Sequence, residues 1–535
     1  MVLSTDVLTY FFLVFCSAYN GFLLVSFLWF TVFQRYNRRG LRLKEVSLKG
    51  TYFPTITIIM PVLNEENVIK NSIKELLKSQ YAGRFEILAV DDHSNDDTPA
   101  ILSRLSKKEE HFYYFRRKKT RSRIGKGDVL NQGYEFLRHV KFPNRNPDNW
   151  IIGVFDADGR PVEGDLFTEV GKLFLDETVS AAQCGVRIRN QRKLISALQD
   201  VEFSTFSYIT QTVRDRTSGA VALGGNGQFI RAAALDEIRN EGHYWNTSAL
   251  TEDLEIGTKI LIAGGRTRFV NRWISQEGVE TFPALFKQRI RWAWGALQVF
   301  SAYVLGRRVI SSNISWKRKL DLHYYLSFWI VPFVVLFTLM IFFFDQINLV
   351  TIKNGFGWKF LIINSFSFLP LIVTGLIKAE VNFVRIIYLT PISILYTYHW
   401  IPVLGIGLYK MVTKAKPYWM KTERYEVYVP DDDPSPDHVF TLGEILTDRG
   451  ACSPKTIEKA LEDQNANKEN KKLGEILVDS YGLKKNDLDH ALGMQKNLTK
   501  DTMDSDTVIT ERINSGEGTK RLSAEKPISG GKNEV

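Results

Sequence analysis

Long apolar runs occur at the start of the chain and again between about Tyr324 and Tyr409, and mixed segments fill the rest. The first run, Val7–Phe33, has no internal charge and is long enough to cross a hydrocarbon core of about 30 Å as a helix. The runs Tyr324–Phe344 and Phe360–Ile377 predict two more crossings. The stretch Ile386–Tyr409 contains two prolines, so it predicts either one kinked helix or a broken pair.

The position of the basic residues distinguishes an uncleaved membrane anchor from a cleavable signal peptide at the first run. A cleavable signal peptide has its basic residues before the apolar run, whereas Arg35, Arg38, Arg39, Arg42 and Lys44 come after it. This order predicts an uncleaved anchor with the following domain in the cytosol. Since a basic stretch also follows the last apolar run, we expect a multi-pass protein of the plasma membrane whose catalytic domain and tail are cytosolic.

The segment between the apolar runs alternates strands and helices. TITIIMPVLNEEN, FEILAVDDHSNDDT and WIIGVFDADGRP are apolar strands that end in polar turns, with helical periodicity between them. Such alternation predicts an α/β domain with a mostly parallel sheet, whose ligands bind beyond the carboxyl ends of the strands.

Carboxylates stand at these strand ends. Asp91 and Asp92 close one strand, and Asp156 and Asp158 follow another in a D-x-D spacing that suits a divalent cation bridging two phosphates. One acidic turn alone is ordinary, because Asp is common in turns and at helix caps. Three strands that all end in this way favour a binding site.

Six motifs occur in a fixed order between the membrane segments: PVLNEE, VDDHSND, FDADG, GGNGQF, LTEDLE and QRIRW. Together they resemble processive family 2 glycosyltransferases, the class of cellulose, hyaluronan, chitin and poly-N-acetylglucosamine synthases. The resemblance covers about Leu8 to Lys421. It implies a catalytic domain of the GT-A type that transfers sugar from a UDP-sugar with inversion, and membrane helices that export the growing polysaccharide.

The resemblance also implies a role for each matching residue. Asp253 is the expected general base, and Asp156 with Asp158 is expected to hold Mg²⁺ or Mn²⁺. The residues expected to bind the donor are Glu65, Asp91, Asp92, Lys126, Asp156, Gln288, Arg291 and Trp292. Those expected at the acceptor are Thr251, Glu252, Gly225, Asn226, Gly227, Gln228 and Trp292.

Each motif also has a structural explanation. Thr251 is suited to a helix cap, although the capping-box spacing is not strict, and GGNGQF is suited to a tight turn. In QRIRW, the residues at positions 288, 291 and 292 share one helical face, as a donor and acceptor site requires. The alternative is an interfacial belt of aromatic and basic residues. We expect Arg289 and Trp294 to face lipid and headgroups.

Aromatic residues of the later membrane segments are candidates for a polymer path. They are Trp329, Tyr396, Tyr398 and Trp400, with the polar His399. Contact with lipid or packing between helices explains them equally well.

An internal repeat follows the last membrane segment. LGEILTDRGACSPKTIEKALEDQ is echoed by LGEILVDSYGLKKNDLDHALGMQ, and each unit predicts two short helices around a glycine. The repeat resembles the N-terminal domain of type II secretion and pilus ATPases, some of which bind cyclic di-GMP. Where the binding members have arginine, this chain has Thr441 and Lys472, so a protein partner remains the alternative.

Charge and cysteine content exclude simpler classes. The net charge of +10 is explained by basic flanks of membrane segments and by a Lys-rich tail, so we expect no nucleic-acid partner. The three cysteines are far apart and predict neither a disulfide framework nor a metal site.

The predicted organisation has six parts. They are an anchor (1–34), the catalytic domain (51–281), an interfacial QxxRW region (282–309), a channel region (322–412), the helical repeat (437–496) and a disordered tail (497–535). The favoured function is polymerisation of a UDP-sugar, with UDP-glucose and a β-glucan as the first choice and a hexosamine as the other. The alternatives are a non-processive transferase acting on a lipid phosphate and a non-catalytic membrane scaffold with a nucleotide-sensing tail.

Overall fold

A computed structural model describes residues 21–29, 53–347, 369–415, 442–448, 451–466 and 471–493. The chain divides into two compact units, Met1–Tyr428 and Val429–Val535. Most of the predicted anchor lies outside the described residues, although residues 21–29 are helical. The tail predicted at 497–535 also lies outside them.

One mixed sheet of eight strands organises the first unit. The strands are β1 (Thr55–Val62), β2 (Phe85–Asp91), β3 (Phe112–Arg116), β4 (Trp150–Val154), β5 (Arg160–Pro161), β6 (Val179–Ile188), β7 (Gln228–Arg231) and β8 (Arg266–Gln276). Their order in the sheet is β3-β2-β1-β4-β7-β6-β8-β5. The pairs within β3-β2-β1-β4 and the pair β6/β8 are parallel, and the other three pairs are antiparallel.

The three strands predicted from the acidic motifs are neighbours in the order β2-β1-β4, and they are parallel as predicted. The prediction did not include the antiparallel part, in which β7 pairs with β4 and β6. Helices also separate β6, β7 and β8 in the sequence, so alternation alone did not show that β7 runs antiparallel to its neighbours.

Helices cover both faces of the sheet. They are α1 (Ile69–Leu77), α2 (Thr98–Lys108), α3 (Lys126–Glu135), α4 (Leu166–Leu173), α5 (Leu194–Glu202), α6 (Tyr208–Thr217), α7 (Ala232–Glu237) and α8 (Glu252–Ile262). Because side chains alternate along a strand, Ile58 and Met60 of β1 pack in one apolar layer with α1, α2 and α4. Ile59 packs in the other layer with α3, α7 and α8. The central strands are therefore buried on both sides.

A second group of helices follows the sheet domain. They are α9 (Phe282–Phe300), α10 (Arg308–Ser311), α11 (Trp316–Ser327), α12 (Val331–Gln346), α13 (Leu369–Lys378), α14 (Phe383–Thr397) and α15 (Trp400–Val412). Among the described residues, one helical stretch, Phe383–Val412, is long and apolar enough to cross a membrane.

The predicted crossings differ in detail from these helices. The run Tyr324–Phe344 is divided by a tight turn at Phe328–Ile330, so it is not one helix. The stretch with two prolines forms α14 and α15, which meet at residues 398–399. Residues 348–368, which include part of the remaining predicted crossing, lie outside the described residues.

The second unit contains short helices at the predicted repeat. They are α16 (Leu442–Asp448), α17 (Pro454–Ala466) and α18 (Leu473–Tyr481), followed by helical residues 485–493. Leu446, Ala460, Leu477 and Ala491 are among the residues of their common apolar core. Gly482 ends α18 in the left-handed conformation, with φ of 69°, which glycine adopts without strain.

We predict that Gly375→Ala lowers the melting temperature of the protein. A β-carbon at Gly375 of α13 would lie 2.4 Å from the α-carbon of Thr205, so two backbones would have to separate. Overpacking of this kind costs about 1–3 kcal/mol. Gly405→Ala in α15 is the matched control, because nothing lies within 4 Å of its added carbon and alanine favours a helix by about 1 kcal/mol. Differential scanning fluorimetry in detergent measures both, and equal melting temperatures for the two variants would contradict the contact.

Candidate active site

A cavity of about 290 Å³ lies beyond the carboxyl ends of β1 and β4. Its walls come from the turns after these strands, from the segment before β7, and from the start of α8 and the middle of α9. Twelve residues predicted for the site line it: Glu65, Lys126, Asp156, Asp158, Gly225, Asn226, Thr251, Glu252, Asp253, Gln288, Arg291 and Trp292. Residues from five of the six motifs, together with Lys126, therefore meet in one place.

Lys126 is the first residue of α3 and stands among carboxylates. Its Nζ donates to Asp156 Oδ1 at 2.6 Å and lies 3.4 Å from Glu252 Oε1. It also donates to the carbonyl oxygen of Gly225 at 3.2 Å. Burial opposes the charge, but the carboxylates of Asp156, Glu252 and Asp253 hold the pKa of Lys126 above its ordinary value. The lysine is therefore a permanent cation in the cavity.

The two aspartates of FDADG follow β4 and can hold a divalent cation. Asp158 is almost fully buried, and its Oδ2 accepts a hydrogen bond from the Glu277 amide at 2.8 Å. Asp156 is partly exposed and pairs with Lys126. No group of three or more candidate metal-ligating side chains occurs in the described part of the chain. Two carboxylates still fit, because Mg²⁺ is usually bound by one or two carboxylates together with substrate phosphates.

Asp253 lies in the first turn of α8, next to Glu252. Its Oδ1 accepts a hydrogen bond from the Leu254 amide at 2.7 Å. Its Oδ2 lies close to Gly225, since a β-carbon added to that glycine would be 3.1 Å away. Burial, reinforced by the negative charge of Glu252, raises the pKa of Asp253 to about 7, although Lys126 has the opposite effect. A carboxylate with this pKa is suited to accept a proton near neutral pH.

The capping-box explanation of LTEDLE fails in the structure. Thr251 is the residue before α8, but its side chain makes no capping hydrogen bond, and no described residue bonds to its buried Oγ1. Instead, Thr251 packs against α9: a β-carbon at Gly295 would lie 2.9 Å from the Thr251 amide nitrogen. The glycine thus lets α9 approach the turn that carries Asp253.

Helix α9 presents the QxxRW residues to the cavity. Gln288, Arg291 and Trp292 line it together, as expected for positions that share one helical face. The positive charge of Arg291 is close enough to counteract the rise in the pKa of Asp253. The cavity therefore combines two cations, Lys126 and Arg291, with carboxylates and one indole.

The expectation that Arg289 and Trp294 face lipid and headgroups is wrong. Arg289 is fully buried, and its Nη2 donates to Glu202 Oε2 at 2.6 Å. Trp294 is only 5% exposed, and α15 approaches its backbone at Gly407. A buried guanidinium requires a partner, and the partner lies 87 positions away in the sequence, so the motif alone did not indicate it.

Four of the predicted site residues do not line the cavity. Asp91 and Asp92 are fully buried and already bonded, Asp91 to the Ser94 amide and Asp92 to the side chain of Arg117. Gly227 is backed by Ile274, and the side chain of Gln228 is buried in β7. Their motifs therefore shape turns and strands around the cavity.

Sequence analysis missed some of the lining residues. Gln276 and Glu277 stand at the end of β8, and Tyr325 comes from α11. Gln276 Oε1 accepts from Asn226 Nδ2 at 2.9 Å and so fixes the GGNGQF turn. None of these residues lies in a recognisable motif; only the long-range pairing of β8 with β6 brings the first two there.

A second cavity, of about 340 Å³, adjoins the first on the side of the apolar helices; we call it the membrane-side cavity. Both cavities are lined by Phe203, Trp292, Tyr325 and Trp329. The other candidates for a polymer path that line the membrane-side cavity are Tyr396, Tyr398 and Trp400, while His399 is not part of its wall. Aliphatic residues complete it, among them Leu198, Ile372 and Leu404.

Comparison with known proteins found two matching family profiles. Residues 57–238 match the profile of "Glycosyl transferase family 2", and residues 151–409 match "Glycosyl transferase family group 2". Two relatives represent different products. A beta-monoglucosyldiacylglycerol synthase of Synechocystis sp. is 34% identical over 51% of this chain and 54% of the relative. A poly-beta-1,6-N-acetyl-D-glucosamine synthase of Staphylococcus aureus is 26% identical over 46% of this chain and 55% of the relative.

Among solved structures, the mannosyltransferase PcManGT from Pyrobaculum calidifontis, in complex with GDP-Man and Mn²⁺, is 17% identical. It has a TM-score of 0.46 and covers 76% of this chain and 99% of its own. The chain spans about half the length of the two curated relatives above. The family matches begin at β1 and continue through the cavity into α15. This part of the chain is therefore similar to family 2 glycosyltransferases.

Proposed function

We propose that the protein transfers a hexosyl group from a UDP-sugar to an acceptor hydroxyl at the cytosolic face of a membrane, with inversion at the anomeric carbon. UDP-glucose is the first choice of donor. One observation carries the proposal: Asp253, the two cations and the D-x-D carboxylates line a single cavity. A scaffold without catalytic activity would have no need for this arrangement.

The cations Lys126 and Arg291 are placed to bind the diphosphate of the donor. Guanidinium and ammonium groups form short charge-assisted hydrogen bonds to phosphate oxygens. Lys126 would then exchange part of its contact with Asp156 for the phosphate. Asp156 and Asp158 would hold Mg²⁺ or Mn²⁺, which offsets the negative charge that develops on the leaving UDP. Glu65, in the same wall, is available to the nucleoside.

Asp253 acts as the base on the acceptor. Since Oδ1 is bonded to the Leu254 amide, Oδ2 takes the proton of the acceptor hydroxyl. The hydroxyl oxygen then forms a bond to the anomeric carbon while the bond from that carbon to the UDP oxygen breaks. The electron pair leaves with UDP. Trp292 offers a flat apolar face on which the acceptor sugar ring packs.

A polysaccharide is the first candidate for the product. The membrane-side cavity begins at Trp292 and Trp329, and Tyr396, Tyr398 and Trp400 line it. A row of aromatic side chains that starts beside the base is suited to a chain of sugar rings. Processive synthesis of a β-glucan and its export through the apolar helices are the finer form of this proposal.

A glycolipid is the second candidate, and a specific observation favours it. Most of the exposed surface of the membrane-side cavity is apolar, although hydroxyl side chains such as Thr205, Thr210 and Ser393 also line it. Each sugar of a polysaccharide brings several hydroxyl groups that need hydrogen-bond partners. An acyl chain needs none. The relative that makes glucosyldiacylglycerol agrees with this alternative.

The second unit is proposed to regulate the enzyme by binding cyclic di-GMP or a protein partner. This proposal is supported by the repeated helical sequence of the unit and by the compact apolar core of the unit.

The product can be identified in membrane vesicles that are supplied with Mg²⁺ or Mn²⁺ and a panel of labelled UDP-sugars. Label from UDP-glucose is expected in high-molecular-weight material, and label confined to the lipid extract would identify the glycolipid enzyme instead. Asp253→Asn should reduce transfer about 10²–10⁴-fold, because general bases contribute about that much. Chelation of divalent cations should abolish it. Absence of label from both fractions, for all sugars, would refute the proposed function.

We predict that kcat/KM rises with pH through about 7, because Asp253 must lose its proton to act as a base. Glu252 raises the pKa of Asp253, so Glu252→Gln should move this acid limb to lower pH. A pH series of initial rates at low donor concentration measures both profiles. An acid limb that Glu252→Gln leaves in place would show that another group controls it.

A further inference from the structure

Arg289 is a fully buried cation that the proposed mechanism does not use. It belongs to α9, between Gln288 and Arg291, but it does not line the active-site cavity. Its Nη2 is bonded to Glu202 at 2.6 Å, while its buried Nε and Nη1 have no close hydrogen-bond partner within the described part of the chain. Burial of a guanidinium is costly even when a carboxylate pairs with it, so the position of Arg289 calls for a further benefit.

The flat face of this guanidinium packs on the indole of Trp292. The central carbon of Arg289 lies 4.1 Å from the Trp292 ring centroid, within the range of a cation–π contact. Phe203 meets the same indole edge-on, with centroids 6.1 Å apart and planes at 74°. The indole is therefore held by two neighbours, and it also lines both cavities.

Glu202 connects this contact to the membrane-side helices. Its Oε2 accepts from Arg289 and also from the Tyr396 hydroxyl of α14, at 3.2 Å. Trp400 of α15 packs on the other side of the cluster, 5.5 Å from the Arg289 central carbon. Four elements, α5, α9, α14 and α15, thus converge on one ion pair.

We propose that Arg289 and Glu202 form a positioning pair that fixes the orientation of Trp292, and thereby the acceptor ring relative to Asp253. The inference rests on the proposed function, because it assigns the acceptor to Trp292. Neither residue lines the active-site cavity, although Glu202 also lines the membrane-side cavity. Loss of the pair should therefore weaken acceptor binding and productive alignment while UDP binding stays intact.

The test removes both charges at once with Arg289→Gln/Glu202→Gln. Either single change leaves one buried charge unpaired and risks unfolding, whereas two amides of similar size can bond to each other. The double variant is compared with the full-length protein in detergent. Melting temperature, affinity for UDP and affinity for a short β-glucan oligosaccharide are measured, the affinities by calorimetry.

The expected result is a folded protein with unchanged UDP affinity, whose acceptor-dependent kcat/KM falls about 10- to 100-fold, as small misplacements of reacting groups do. Oligosaccharide affinity should fall as well. Adding Trp292→Ala to the double variant should cause little further loss, because residues that act through one contact are not additive. Wild-type acceptor kinetics in the double variant would overturn the proposal and make the pair merely structural.

Arg145→Gln/Glu86→Gln is the matched control. This second Arg–Glu pair has two hydrogen bonds, at 2.6 and 3.0 Å, and Arg145 also packs on aromatic rings, those of Phe142 and Trp150. Neither residue lines a cavity described above. The control should change the melting temperature without changing acceptor kinetics.

Failure of the proposed function gives a different result. If the wild-type protein binds the oligosaccharide but transfers no sugar, the proposed function falls, and selective loss of that binding in the double variant still supports the positioning pair. If the wild-type protein does not bind the oligosaccharide, Trp292 is not a glucan-acceptor platform and the positioning proposal falls.

Discussion

The ammonium group of Lys126 holds the candidate site together. It contacts Asp156 at the end of β4, Glu252 at the start of α8 and the backbone of Gly225 before β7. Without this cation, several carboxylates would stand close together in a largely buried cavity, where their mutual repulsion is strong. The positive charge of Lys126 also limits the rise that burial and Glu252 cause in the pKa of Asp253, which is about 7.

Helix α9 packs closely against both the active-site turn and the apolar helices. Helix α9 lies against the turn before α8 at Gly295 and against α15 at Gly407, and at both points a side chain would crowd a backbone nitrogen. The two contacts fall at adjacent residues of α9, Trp294 and Gly295, just beyond Arg291 and Trp292. Arg291 and Trp292 line the cavity that contains the base, while the guanidinium of Arg289 packs on Trp292 within the cluster around Glu202. One helix thus joins the reaction centre to the membrane-side cavity.

Sequence patterns predicted the parallel half of the sheet and most of the charged residues that line the cavity. Apolar strands that end in acidic turns, such as the one before Asp156, leave a local signature because adjacent parallel strands end on the same side. The antiparallel β7 leaves none, and neither do Gln276 and Glu277. Local spacing also does not show the partner of Asp92, because Arg117 binds it from another part of the chain.

The sequence by itself determined the order of the motifs and the helical face shared by positions 288, 291 and 292, because these depend on local spacing. Only the tertiary structure decided that Arg289 is buried against Glu202 and that two cavities meet at Trp292. Those facts depend on which distant segments supply a partner for a buried charge. Local periodicity carries no information about such partners, since many arrangements of the helices satisfy the same apolar pattern.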